Sequence, residues 1–128
     1  AAAQASPAER SFIATVRAEE ESLVNNGASP SILAEINGRF HHGILLASHN
    51  PFLIETMQRL GNLMVLLGPT AYSLASRVDE IGEEHDAINA AIQAARPEDA
   101  GLAARTHLQN AVRARLAIMA TGQKGHVD

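Results

Sequence analysis

Apolar residues recur along this chain at three- and four-residue spacing, and short polar clusters holding proline or glycine interrupt them. Ser6-Pro7-Ala8-Glu9 supplies an N-cap, a proline at the first helical position and an acid three residues after the cap. A helix is predicted from Pro7 to about Val24, with Asn25-Asn26-Gly27 as its stop. Ser29-Pro30 opens a second helix, through His41 and His42 to about Ser48. Asn50-Pro51 caps a third, running to about Leu67 and ending at Gly68-Pro69. A fourth is predicted from about Thr70 to Ala95, bent near Ser76–Asp79. Pro97 begins the last, which runs to about Ala120 and leaves a polar tail, Thr121 to Asp128. Runs of β-branched residues bounded by hairpin turns are missing. The pattern predicts an all-α, antiparallel helical bundle of five to six helices.

The same periodicity places polar residues on inward faces. On the second helix Ala34, Asn37, His41, Ile44, Leu45 and Ser48 share a stripe. On the fourth, Val78, Ile81, His85, Ile88 and Ile92 do so, and on the last Ala103, Ala104, His107, Ala111 and Ala114. On the third, Leu53, Met57, Leu60, Met64 and Leu67 read as core. The acidic runs Glu19-Glu20-Glu21 and Glu83-Glu84 read as solvated helix surface. Tyr72, just after a Gly-Pro break, is expected to pack or to cover the mouth of a pocket.

Composition narrows the function classes. At 128 residues the chain has the length of one domain. Hydrophobic residues make up 46% but aromatics only 3%, so the core is built from Leu, Ile, Ala, Val and Met. The absence of cysteine excludes disulfides and thiolate metal sites. No run of about 18 apolar residues is present to span a membrane. Ala1-Ala2-Ala3 lacks the basic start and apolar run of a signal peptide, so a cytoplasmic location is expected. A net charge of −4 argues against nucleic-acid binding by this chain itself.

His41, His85 and His107 lie on three different predicted helices, and Asn37 precedes the first by one turn on the same face. A histidine alone on an apolar face is ordinarily a core residue bonded to a carbonyl. Three on separate helices each need a partner, and a shared metal ion supplies one for all. Three imidazoles and an amide oxygen suit zinc or nickel, with manganese less favoured. The neighbouring residues are mostly small, which leaves room for a ligand beside the cluster. Asn89 and Asn110, a turn or nearly so after His85 and His107, are the candidates for holding the metal shell or an effector. His42, His49 and His126 are read as bystanders.

Four segments resemble one known family. Asn37-Gly38-Arg39-Phe40-His41 and Ala47-Ser48-His49-Asn50 resemble the Asp/Asn-x-x-Phe-His and small-x-x-Asn signature of the FadR C-terminal (FCD) domain. Glu84-His85-Asp86-Ala87-Ile88-Asn89-Ala90-Ala91-Ile92 and Ala103-Ala104-Arg105-Thr106-His107-Leu108 resemble its two later segments, in the expected order. These are effector-binding domains of GntR-type bacterial transcription regulators. The resemblance implies a divalent metal held by His41, His85 and His107, with a small organic acid bound beside it. Asn37 stands where the family usually has aspartate. The resemblance also implies a homodimeric full-length protein. DNA is bound only by an N-terminal winged helix-turn-helix domain, which is expected to be missing from this chain, as is most of the first effector-domain helix.

The resulting expectation covers residues 1–128: a regulatory domain, not an enzyme, that senses a small carboxylate and dimerises to control DNA binding. The alternative from another class is a metal-dependent hydrolase or lyase, since three histidines and an open metal position activate water. A third reading is a structural bundle whose histidines belong to the core.

Overall fold

The computed structural model describes the backbone of residues 1–65, 72 and 75–127, and the side chains of residues 1–59, 72 and 76–120. Among the described residues five helices follow one another: α1 (Pro7–Asn25), α2 (Pro30–Ala47), α3 (Pro51–Val65), α4 (Ala75–Gln93) and α5 (Pro97–Val127). The fold is an all-α helical bundle. The starts of the helices are where the caps place them. Ser6 accepts from the Glu9 amide at 3.2 Å while the Glu9 carboxylate accepts from the Ser6 amide at 2.8 Å, a closed capping box. Ser29 caps α2 through the Ile32 amide at 3.3 Å, and Asn50 caps α3 through Leu53 at 3.1 Å. Gly27 takes a positive φ of 72°, the left-handed turn that lets the chain leave α1.

Three boundaries differ from expectation or lie out of view. The end of α3 near Leu67 and the start of a helix at Thr70 fall outside the described residues. The predicted tail from Thr121 is helical instead, and α5 continues to Val127. Gly122 and Gly125 each weaken a helix by about 1 kcal/mol but leave its hydrogen-bond ladder intact. No proline or cap interrupts the segment.

Helix α1 packs against α2 on one side and α4 on the other, and α4 packs against α5. Among the described residues α3 touches only α2. Antiparallel order is fixed by pairs along the seams. Arg39 meets Glu19, and His49 meets Glu9, between α1 and α2. Arg17 meets Gly82 and Asp86, and Arg10 donates to the Ile92 carbonyl, between α1 and α4. The three-residue link 94–96 folds α5 back along α4.

The main core joins Ile13 and Val16 of α1, Ile36, Phe40 and Ala47 of α2, and Ile88 and Ile92 of α4. Ala103 and Ala104 of α5 pack on it. Burying side chains of this size stabilises the fold by about 1.5–3 kcal/mol each. A second cluster holds Leu33, Tyr72 and Ile81.

The α4 and α5 stripes face inward as expected, with His85 and His107 buried on them. The α2 stripe is displaced by one residue. Leu33, Ile36, Phe40, Gly43 and Ala47 are the buried positions, and the face carrying Asn37 and His41 flanks them. Phe40 is the cause: as the largest apolar side chain on α2 it takes the centre of the core and stacks on the His85 ring at 4.3 Å. On α3 the expected core face is not buried where it is described, since Leu53 is 40% exposed. Leu60, Met64 and Leu67 lie outside the described side chains.

Candidate metal centre

Helices α2, α4 and α5 each contribute one histidine to a single cluster. One ring nitrogen from each of His41, His85 and His107 lies within 4.8 Å of the others. The His41 and His107 Nε2 atoms are 3.3 Å apart, and the two rings are stacked with centroids separated by 5.2 Å. His85 meets both edge-on, at 5.1 and 4.7 Å. His85 is fully buried and His107 nearly so; His41 is half-buried, its ring flanked by Phe40, His85 and His107.

Each buried histidine is held from behind by a carboxylate. His85 Nδ1 lies 2.8 and 3.0 Å from the two oxygens of Glu20 on α1. Glu20 is itself buried, and accepts from Arg17 at 3.1 Å and from the Tyr72 hydroxyl at 3.2 Å. His107 Nδ1 lies 2.7 Å from Glu84, whose other oxygen accepts from Arg77 at 2.8 Å and from Asn110 at 2.7 Å. Arg17 also reaches Asp86 at 2.7 Å, which ties the network to the surface.

The electrostatics follow from burial. The His41 pKa is pushed down to about 3, first by desolvation and then by the neighbouring His85 and His107. Burial also lowers the His107 pKa, against the opposing pull of Glu84. For Glu84, burial pushes the pKa up, but bonds from Arg77, His107 and Asn110 outweigh it and hold the carboxyl below its ordinary value. His41 and His107 are therefore biased towards neutral rings, the form that donates an electron pair to a cation.

Among the described residues three buried side-chain atoms lack a hydrogen-bond partner, Arg77 Nε, Arg115 Nη1 and His85 Nε2, and the last belongs to the histidine cluster. A buried polar atom without a partner costs about 1–3 kcal/mol. Three imidazoles gathered at one place, one with a buried nitrogen otherwise unsatisfied, fit a divalent cation.

Asn37 is half-buried one turn before His41 and makes no hydrogen bond to a described residue. Asn110 stands beside the cluster and works through Glu84. Asn89 accepts from Gln93 at 3.0 Å, on the seam where Gln93 also bonds the Arg10 carbonyl, and no hydrogen bond links it to the histidines. His42 and His49 are exposed.

The reading of the acidic runs as solvated surface is corrected by the structure. Glu19, Glu21 and Glu83 are exposed, but Glu20 and Glu84 turn inward to the histidines. The sequence held a usable signal for one of them. Ile13, Val16, Arg17 and Glu20 share one helical stripe, so Arg17 and Glu20 sit on the buried face as an i,i+3 pair. Glu84 carries a weaker signal, its seven-residue separation from Arg77.

A bundle that gathers three imidazoles from three helices is a ligand-binding architecture, and the chain's sequence places it within a known class. Residues 1–110 match the family model of the FCD domain. The chain belongs to this family, the C-terminal domain of GntR-family regulators such as FadR, which is a regulatory ligand-binding domain of transcription factors. No individual curated protein matches it. Among the described residues no helix is long and apolar enough to cross a membrane.

Proposed function

We propose that this domain binds one divalent metal ion through His41, His85 and His107, with an oxygen from Asn37 directly or through water, and uses it to recognise a small organic acid. The observation that carries this reading is the clustering of three histidines from three helices, with the Nε2 of His85 buried and unpartnered among the described residues. When bound, the metal supplies positive charge and open coordination positions for a carboxylate oxygen. The chain's own residues supply the rest. Glu20 and Glu84 orient two of the rings, Arg17 and Arg77 hold those carboxylates, and Asn110 completes the bonds to Glu84.

Effector binding would favour one of two arrangements of a homodimeric, cytoplasmic regulator and so control DNA binding by an N-terminal domain. The sensor reading is preferred to a hydrolase for a structural reason. The two acids nearest the histidines are engaged by Nδ1 atoms on the outer side of the rings, so neither is placed to take a proton from an attacking water.

The test is titration calorimetry with zinc and nickel. The parent chain is expected to bind one ion per chain, and His85→Ala/His107→Ala none. Unchanged affinity in the double variant would overturn the site. Native mass spectrometry with elemental analysis of the purified protein then reports which metal and which acid accompany it.

A further inference from the structure

The four donors proposed for the metal are all neutral: three imidazoles and one amide. The nearest negative charge is held one bond further out, and the two carboxylates there are not equivalent. Glu84 is reachable from solvent and shares itself between His107, Arg77 and Asn110. Glu20 is sealed inside the bundle, with both of its oxygens on the Nδ1 of His85.

We infer that Glu20 is the positioning residue of the site: it fixes the tautomer and orientation of His85 so that Nε2 is offered to the metal, and it supplies charge that the inner donors lack. An ionised carboxylate only accepts hydrogen bonds. Arg17 and Tyr72 both donate to Glu20, as that state requires. The proton of His85 therefore sits on Nδ1, and Nε2 keeps its electron pair. That Nε2 is buried and finds no partner among the described residues.

Rotation of the ring is closed off on two sides. Phe40 stacks on it with centroids 4.3 Å apart and planes 27° apart, and Glu20 holds its edge. A ring kept in place only for packing would not need a buried charge behind it, since an apolar pair of similar volume packs without desolvating an ion. A histidine aimed by a carboxylate is instead the arrangement that raises ligand basicity and sets which nitrogen meets a metal. His41 has no such backing among the described residues, its one hydrogen-bond contact being His107. The three ligands are thus graded, with His85 the most tightly set.

The inference rests on the reading of the cluster as a metal site, and the experiment separates the two. Zinc affinity is measured by competition with a chromophoric chelator for the parent, Glu20→Gln and Tyr72→Phe, and the cobalt-loaded forms are compared by visible spectroscopy. Glu20→Gln keeps volume and an acceptor but removes the charge. It is expected to bind zinc about 10–100-fold more weakly and to alter the cobalt spectrum, while its metal-free circular dichroism stays that of the parent. Tyr72→Phe leaves the charge and removes one donor to it, so a smaller loss in the same direction is expected; it stands in if Glu20→Gln fails to fold. Nitrogen-15 spectra of the metal-free parent are expected to show His85 protonated on Nδ1.

A parent that binds no zinc would overturn the metal reading itself. A parent that binds zinc, with both variants binding within twofold of it, would overturn the role of Glu20 alone. So would a metal-free parent with His85 protonated on Nε2.

Discussion

At the scale of single residues, the site is decided by which groups are neutral and which are charged. His41 and His107 are held neutral in the fold, with the His41 pKa near 3, whereas a histidine in the unfolded chain titrates near 6.5. Below that value the unfolded chain takes up protons that the folded chain refuses, so acidification favours unfolding. Metal-free stability is expected to fall as pH drops from about 6.5 towards about 5.5, above the range where most ordinary carboxylates titrate. Urea unfolding in the presence of a chelator at a series of pH values checks the sign. A flat profile across that interval would mean the rings are solvated.

Asn37 gives a second test at this scale. Asn37→Asp adds a carboxylate to a set of neutral donors, and is expected to strengthen zinc binding and weaken binding of citrate-like acids. Each change is expected at about 1–3 kcal/mol, the range of charge-assisted contacts. Glu20 and Glu84 already stand behind two of the rings, but they contact the outer Nδ1 atoms, so a carboxylate at position 37 would be the first charged group among the donors themselves. Equal destabilisation with and without metal would identify Asn37 as a core hydrogen-bonding residue and remove it from the ligand set.

At the scale of the helices, caps and glycines govern the local balance. Ser6 and Glu9 satisfy two amides at the start of α1, the helix that carries Glu20 and Arg17. Ser6→Ala is expected to cost about 0.5–2 kcal/mol of stability, as measured for caps of this type. Denaturation midpoints compared at constant slope would report it. Two glycines inside α2 behave differently. A Cβ at Gly38 meets nothing within 4 Å, so Gly38→Ala is expected to stabilise by about 0.5–1 kcal/mol through helix propensity. At Gly43 the same atom meets the Phe12 ring at 3.1 Å and Ile13 at 3.6 Å. Gly43→Ala should therefore gain less than Gly38→Ala, and a larger gain at Gly43 would contradict the packing of α1 on α2.

At the scale of the whole molecule, the histidines bring α2 and α5 together. Among the described residues α2 and α5 share no backbone packing, yet His41 and His107 approach to 3.3 Å. A metal there would tie α2 to the α4–α5 pair. Its binding adds RT ln(1 + [L]/Kd) to stability, about 2.7 kcal/mol at a hundredfold excess over Kd. Hydrogen exchange with and without zinc is expected to slow most around His41 in α2. Protection confined to α5 would place the ion elsewhere.

The sequence by itself determined the helices and the neighbourhoods of two of the four proposed ligands, because caps, prolines and 3.6-residue periodicity are local properties. Pro7, Pro30, Pro51 and Pro97 each begin the helix their caps predict, and His85 and His107 lie on the buried stripes that their apolar neighbours mark. What only the tertiary structure decided is how faces with competing claims are shared. Phe40 took the core side of α2 and left His41 at its flank, since one helix face cannot hold both at its centre. Glu20 and Glu84, each in an acidic run, looked like solvent-facing charge until α1 and α4 brought them within 3 Å of an imidazole. A charged residue reads as exposed unless its partner is known, and those partners lie 65 and 23 positions away in the chain.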